Sequence, residues 1–242
     1  MRKIVGILLV AALLVGRGAA QGDDAARELI VKAVKAAGGE AALAKHRATT
    51  YKEVGTYHGM GMPLPYTGTY AMQLPEQFRM EIEGAFVTVF DRDKGWAKTG
   101  DVVKEMTKEE LAVQRNDHRA GYVATLLPLL GKDFTLTGLP EEKIDGRAVL
   151  GVKVTRKDYP DVKLYLDKET LLLTRSVFPT KASEDMFKDA TMEVNFGKYQ
   201  EIDGAKVATK LVLKRDGKVF VEADVRDVKA VGKLPDATFG KP

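Results

Sequence analysis

The chain contains no cysteine, three histidines, two serines and a single tryptophan. Without cysteine there is no disulfide, no thiolate nucleophile or thiolate metal site, and no lipid-modified cysteine after a signal. His46, His58 and His118 are scattered, with no metal-ligand spacing among them, so no metal is expected. His118 beside a helix start and His46 beside a helix end read as surface positions. Ser176 and Ser183 sit in no Gly-x-Ser-x-Gly elbow, and neither a phosphate loop nor a dinucleotide fingerprint occurs. Gly59-Met60-Gly61 lacks the strand-to-helix setting of a phosphate site and reads as a loop tip tucked over its own hairpin. Abundant acids leave open a carboxylate pair of the kind that hydrolyses glycosides, but nothing in the pattern favours it. The expectation is a protein that is not an enzyme and uses no cofactor.

Charge of one sign is equally scarce. Lys and Arg number 38 against 34 Asp and Glu, and three of the basic residues, Arg2, Lys3 and Arg17, fall within residues 1–20. The remainder is within one charge of neutral, so the sequence pI near 9.0 is no nucleic-acid footprint. Nor does any apolar run reach the roughly 20 residues that span a bilayer. The run over 4–15 follows Arg2 and Lys3 and precedes the small residues Gly18-Ala19-Ala20. That order is the pattern of a secretory signal over 1–20, cleaved after Ala20. It predicts a periplasmic or secreted protein with no stable membrane span after cleavage, folded as one domain over 21–242.

What the chain does have is period-two alternation. Tyr66, Gly68, Tyr70, Met72 and Leu74 share one face, as do Phe78, Met80 and Ile82, while Gln77, Arg79 and Glu81 point the other way. Leu74-Pro75-Glu76, Gly84 and the polar stretch 91–95 separate these runs, and strands joined so tightly must be antiparallel neighbours. Beyond Phe134 the turn signals Asp145-Gly146, Asp203-Gly204 and Asp216-Gly217 recur between alternating runs. About ten or eleven strands result, and an antiparallel sheet this long must curl, close or split. The segment 178–189 reads as a polar connection without pattern. The fold class is mainly β with some α.

Helices are few. Asp23 and Asp24 can cap a helix over 25–37 that Gly38-Gly39 ends, and a short turn of helix follows over 40–45. The sheet has one helical insertion, at about 107–131. Thr107 and Glu110 form a capping box for a helix over 108–115, and a second helix over 117–127 carries Tyr122, Val123, Leu126 and Leu127 up to Pro128. Leu129 and Leu130 extend this apolar surface. The insertion either plugs a cavity that admits a lipid or is a fixed core helix on a half-buried sheet; amphipathic helices usually exist to be buried.

The run LPEQFRMEIEGAFVTVFDRDKGWAKTGD adds a resemblance: Pro75, then Phe78-Arg79, a short hydrophobic strand and a Gly95-Trp96 turn. Together with the order of signal, helix, strands, helical insertion and strands, it is similar to the LolA/LolB superfamily of outer-membrane lipoprotein carriers and acceptors. The resemblance implies an unclosed half-barrel covered by a helical lid, with acyl chains held between them. It implies lipid contact for Tyr122, Val123, Leu126, Leu127, Leu130, Phe78, Met80 and Trp96, and a lid latch at Arg79 acting through backbone hydrogen bonds. The implied function is transport or binding of a lipid or lipoprotein acyl chain. The same fold resembles mycobacterial lipid carriers and an envelope-stress sensor, which leaves an envelope protein as a possible alternative partner.

Overall fold

The computed structural model describes the backbone of residues 18–242 and the side chains of residues 23–242. The apolar run 4–15, and the signal expectation resting on it, lie outside the described residues. Among those described, no helix is long and apolar enough to cross a membrane. Helix α1 (Gly18–Ala36) starts earlier than its proposed caps, so Asp23 and Asp24 lie inside it, and α2 (Glu40–Lys45) follows. Gly38 at the end of α1 has φ +116°, and a Cβ there would come 2.2 Å from the carbonyl oxygen of Gly204. Only glycine lets the helix end press so closely on a hairpin.

The strands are β1 (Ala48–Tyr57), β2 (Leu64–Gln73), β3 (Gln77–Ile82), β4 (Phe86–Asp91), β5 (Lys94–Thr99) and β6 (Val102–Glu105), then β7 (Thr135–Ile144), β8 (Arg147–Thr155), β9 (Val162–Asp167), β10 (Leu173–Ala182), β11 (Lys188–Ile202), β12 (Ala205–Arg215) and β13 (Lys218–Ala230). They form one unclosed sheet in the order β6-β5-β4-β3-β2-β1-β13-β12-β11-β10-β9-β8-β7. Each neighbouring pair is antiparallel. Two meanders therefore run outward from a central seam, where β1 pairs with β13. Asp145-Gly146, Asp203-Gly204 and Asp216-Gly217 all have positive φ at both residues, as tight hairpins of matching twist require.

Thirteen strands exceed the ten or eleven expected, and the segment 178–189 is not the patternless connection it reads as. Phe178, Thr180 and Ala182 are buried while Pro179 and Lys181 are exposed, so β10 continues through a stretch whose alternation is masked by polar residues. The insertion differs too: α3 (Lys108–Ala124) is one continuous helix through Asn116 and Asp117. Its start is the expected capping box, with Thr107 Oγ1 accepting from the Glu110 N–H and Glu110 Oε2 accepting from the Thr107 N–H. Pro128 lies in a separate 3-10 turn, Leu127–Leu130, rather than at the helix end.

The curl of the sheet follows from what α3 touches. His118 lies 5.2 Å, ring to ring, from Phe78 on β3 and from Phe90 on β4, while Asn116 Nδ2 donates to the Pro179 carbonyl on β10 at 2.9 Å. Between β3 and β10 lie six strand spacings, about 29 Å in a flat sheet. A helix with its side chains is only about 10–12 Å across. The sheet must wrap to bring both walls to one helix. Under that wrap α1, α3 and the 3-10 turn pack on β7 to β11, with Ile30, Val123, Leu129, Leu136, Leu164 and Leu166 fully buried. The opposite face carries a smaller cluster, Ala48, Ala71 and Val89 covered by Leu234 and Phe239 from the carboxyl-terminal segment.

Candidate functional site

Between the carboxyl-terminal end of α3 and the central strands, the wrapped sheet leaves a cavity of about 530 Å³. This is within the range of pockets that enclose a small ligand. Period-two alternation sets its wall: Thr49 and Tyr51 of β1, Val207 and Leu211 of β12, and Val225 of β13 all turn to the helix side. Tyr122, Leu126 and Leu127 form the roof, and Phe196 and Tyr199 of β11 form the far wall. A second cavity of about 230 Å³ lies between α3 and β10–β11 and shares Ala124, Thr125 and Phe196 with the first.

The polar atoms of the wall are largely engaged. The Tyr199 hydroxyl donates to the Leu173 carbonyl, and the Tyr51 hydroxyl lies 3.9 Å from the Met72 sulfur. Burial pushes both phenols well above their ordinary range, so they stay neutral and offer ring faces to the cavity. Beyond Tyr51 on the same face of β1, Glu53 is buried among tyrosines: Tyr66 donates to it at 2.9 Å, and Tyr51 stacks on Tyr70 at 4.8 Å. Burial raises the Glu53 carboxyl, and hydrogen bonds from Tyr70 and Tyr66 partly offset this. Burial also raises Asp117 on α3, which accepts from Thr180 Oγ1 at 2.6 Å and lines the smaller cavity. The two carboxyls belong to different elements and each is engaged by its own neighbours.

Three of the residues carried over by resemblance, Tyr122, Leu126 and Leu127, line the larger cavity. Val123 points instead into the core, fully buried, and Leu130 packs against that core. Phe78 belongs to an aromatic nest with Tyr70, Phe90 and His118, and Met80 lies beside it on the same face, outside the cavity wall. His118 is thus half-buried at the seat of α3 rather than on the surface, and its Nε2, shielded from solvent, has no partner among the described residues. His46 is half-buried and lines the cavity. Gly59 lies against the Tyr57 and Phe220 rings, whereas Met60 and Met62 beyond it are 72% and 60% exposed.

Trp96 lies on the opposite face of the sheet. It pairs with Val89 and packs on the cluster covered by Leu234 and Phe239. Gly95 takes the helix-side position instead, where a Cβ would come 2.6 Å from the Met106 sulfur and 3.1 Å from Leu111. Arg79 shares the Trp96 face, because it pairs with Ala71 and Val89, and its guanidinium binds Glu81 at 2.8 Å. The latch geometry belongs to other residues. Arg27 of α1 donates to the carbonyls of Leu129, Gly131 and Phe134, at 3.4, 2.9 and 3.2 Å, pinning the turn after α3. On the other wall Glu76 receives Arg115 and Arg119 of α3, each at 3.3 Å. Arg27 lay outside the inserted segment, and nothing in its local sequence marks it.

With this geometry established, comparison with solved structures identifies the fold. A LolA superfamily protein from Nitrosomonas europaea aligns with TM-score 0.59 at 12% identity, over 89% of this chain and 98% of that one. A DUF1329 family protein from Desulfovibrio piger aligns with TM-score 0.57 at 15% identity, over 90% and 97%. A putative outer membrane lipoprotein-sorting protein domain from Vibrio parahaemolyticus aligns with TM-score 0.54 at 13% identity, over 90% and 97%. No protein-family model matches the sequence, and no curated protein matches it. At these identities the likeness is one of fold, and it spans nearly the whole described chain.

Proposed function

We propose that this chain, LolA-like in fold, is an exported, non-enzymatic binder of an acyl chain, from a lipid or a lipoprotein, held in the cavity under α3. The carrying observation is the cavity itself: about 530 Å³ of space lined mainly by apolar side chains, beside a smaller one of about 230 Å³ under the same helix. The cavity opens to solvent at its rim, and an apolar recess of this size under a helix is space that the tail of a ligand would fill. Uptake is passive. Each buried methylene contributes about 0.8 kcal/mol, so a chain burying about ten of them gains ~8 kcal/mol before the costs of association. Handover requires α3 to lift, which breaks the Glu76 pairs on one wall and the Asn116 and Asp117 bonds on the other.

Native mass spectrometry of the chain purified from an envelope fraction without detergent tests this reading. A retained lipid-sized adduct, lost in Leu127→Asp, supports it. Leu127 suits the test because it lines the cavity while only partly buried, whereas a charge at the fully buried Leu126 would disrupt the core. Protein that is clean of adduct and ignores added lipids would refute it and put an envelope-protein interaction module in its place.

A further inference from the structure

The cavity wall has a charge asymmetry that the chain as a whole lacks. Acids and bases nearly balance in the sequence, yet no Asp or Glu lines the larger cavity, while His46, Arg47 and Lys206 do. Lys206 is neutralised by Glu201 at 2.9 Å. His46 is held in place, its Nε2 donating to the Ile202 carbonyl at 3.1 Å. Arg47 is different. It is the residue just before β1, in phase with Thr49 and Tyr51 on the cavity side. Its side chain is exposed and has no hydrogen-bond or ion-pair partner among the described residues. Its backbone is fixed, with the carbonyl accepting from the Leu74 N–H at 2.9 Å, so the side chain starts from a defined point of the rim and its guanidinium is free to meet a ligand there.

Building on the acyl-chain reading above, we infer that the ligand is an anionic amphiphile, its carboxylate or phosphate head on Arg47 and its tail under Tyr122 and Leu127. A guanidinium presents a planar fork of donors that matches either group in bidentate fashion. The buried carboxylate of the same face, Glu53, lies six residues further along β1, about 20 Å away, so it does not repel a head at the rim. An uncharged head, by contrast, would leave Arg47 with nothing it could not obtain from water.

The test is displacement of a neutral fluorescent probe, N-phenylnaphthylamine, by palmitate, palmitoyl lysophosphatidate and the uncharged monopalmitoyl glycerol. The expected result is that one or both anionic ligands bind about 10-fold more tightly than the neutral one, the scale of a charge-assisted contact at a solvent-exposed site. Arg47→Gln, at an exposed position, should keep the melting temperature and bring all three ligands level. About 0.5 M salt should shrink the difference in the unaltered protein. Whichever of palmitate and lysophosphatidate binds more tightly identifies the head as carboxylate or phosphate. Equal affinity for charged and neutral ligands, or a preference that survives Arg47→Gln, would overturn the anionic head while leaving the acyl-chain reading intact. If no ligand displaces the probe, both fall.

Discussion

The seating of α3 depends on keeping His118 uncharged, and that dependence can be measured. The imidazole lies between Phe78 and Phe90 with no partner for Nε2, and burial holds its pKa down to about 4, from an ordinary 6.5. Arg115 and Arg119 flank it on α3, Glu76 faces both of them from the turn before β3, and Asp117 precedes it. The unfolded chain takes up this proton below 6.5, the folded chain only below about 4. The contribution to stability is therefore complete above 6.5 and is lost as pH falls through that window. With ~1.4 kcal/mol per pH unit, the loss at about pH 4.5 amounts to ~2.5 kcal/mol. Glu53 and Asp117 act in the opposite sense, since their raised carboxyls favour the folded state as pH falls. The measurement must therefore be a difference. His118→Phe keeps a ring in the nest and removes the titration. Urea unfolding of both proteins should show the variant gaining ~2.5 kcal/mol relative to the parent between neutral pH and about pH 4.5, with faster amide exchange in α3 of the parent at the acid end. Two pH profiles that run parallel would refute the claim that His118 is held neutral in this nest.

Other consequences are simpler to read. Arg27→Ala removes three bonds to backbone carbonyls and should cost about 1–2 kcal/mol, with amide exchange rising first around the 3-10 turn Leu127–Leu130. Glu76→Gln leaves Arg115 and Arg119 without their counter-charge; after allowance for partial exposure, the loss should be about 1–2 kcal/mol, with acyl-chain release accelerated in stopped-flow exchange. Thr107→Ala breaks the capping box of α3 and should lower stability by about 1 kcal/mol in urea titration. Leu211→Trp fills the larger cavity from its floor and should abolish acyl-chain binding while the far-ultraviolet spectrum stays unchanged.

Much of the fold is written locally. The alternation of Phe78 and Met80 against Arg79 and Glu81 places the first pair on one face and the second on the other, because a strand gives a side chain only two directions. The capping box at Thr107 and the Asp-Gly hairpins are equally local, since each is a short-range bond or a backbone angle. What alternation cannot say is which face is the inside. Lipid contact was implied for Trp96, yet Gly95 holds the helix-side position, where Met106 and Leu111 press, a fact about partners close in space and separate in sequence.

The cavity itself is of that second kind. The sequence by itself determined that β12 has an apolar face including Val207 and Leu211, that α3 starts at Thr107, and that Tyr122, Leu126 and Leu127 lie near one another on an inserted segment. Only the tertiary structure decided that these surfaces meet without filling the space between them, because that gap depends on how far thirteen twisted strands wrap before reaching α3. Likewise it alone selected Arg27 and Glu76 as the tethers and left Arg47 free at the rim. Pairings across more than a hundred residues, such as Arg27 with Gly131, follow from chain topology, and no periodicity of the local sequence encodes them.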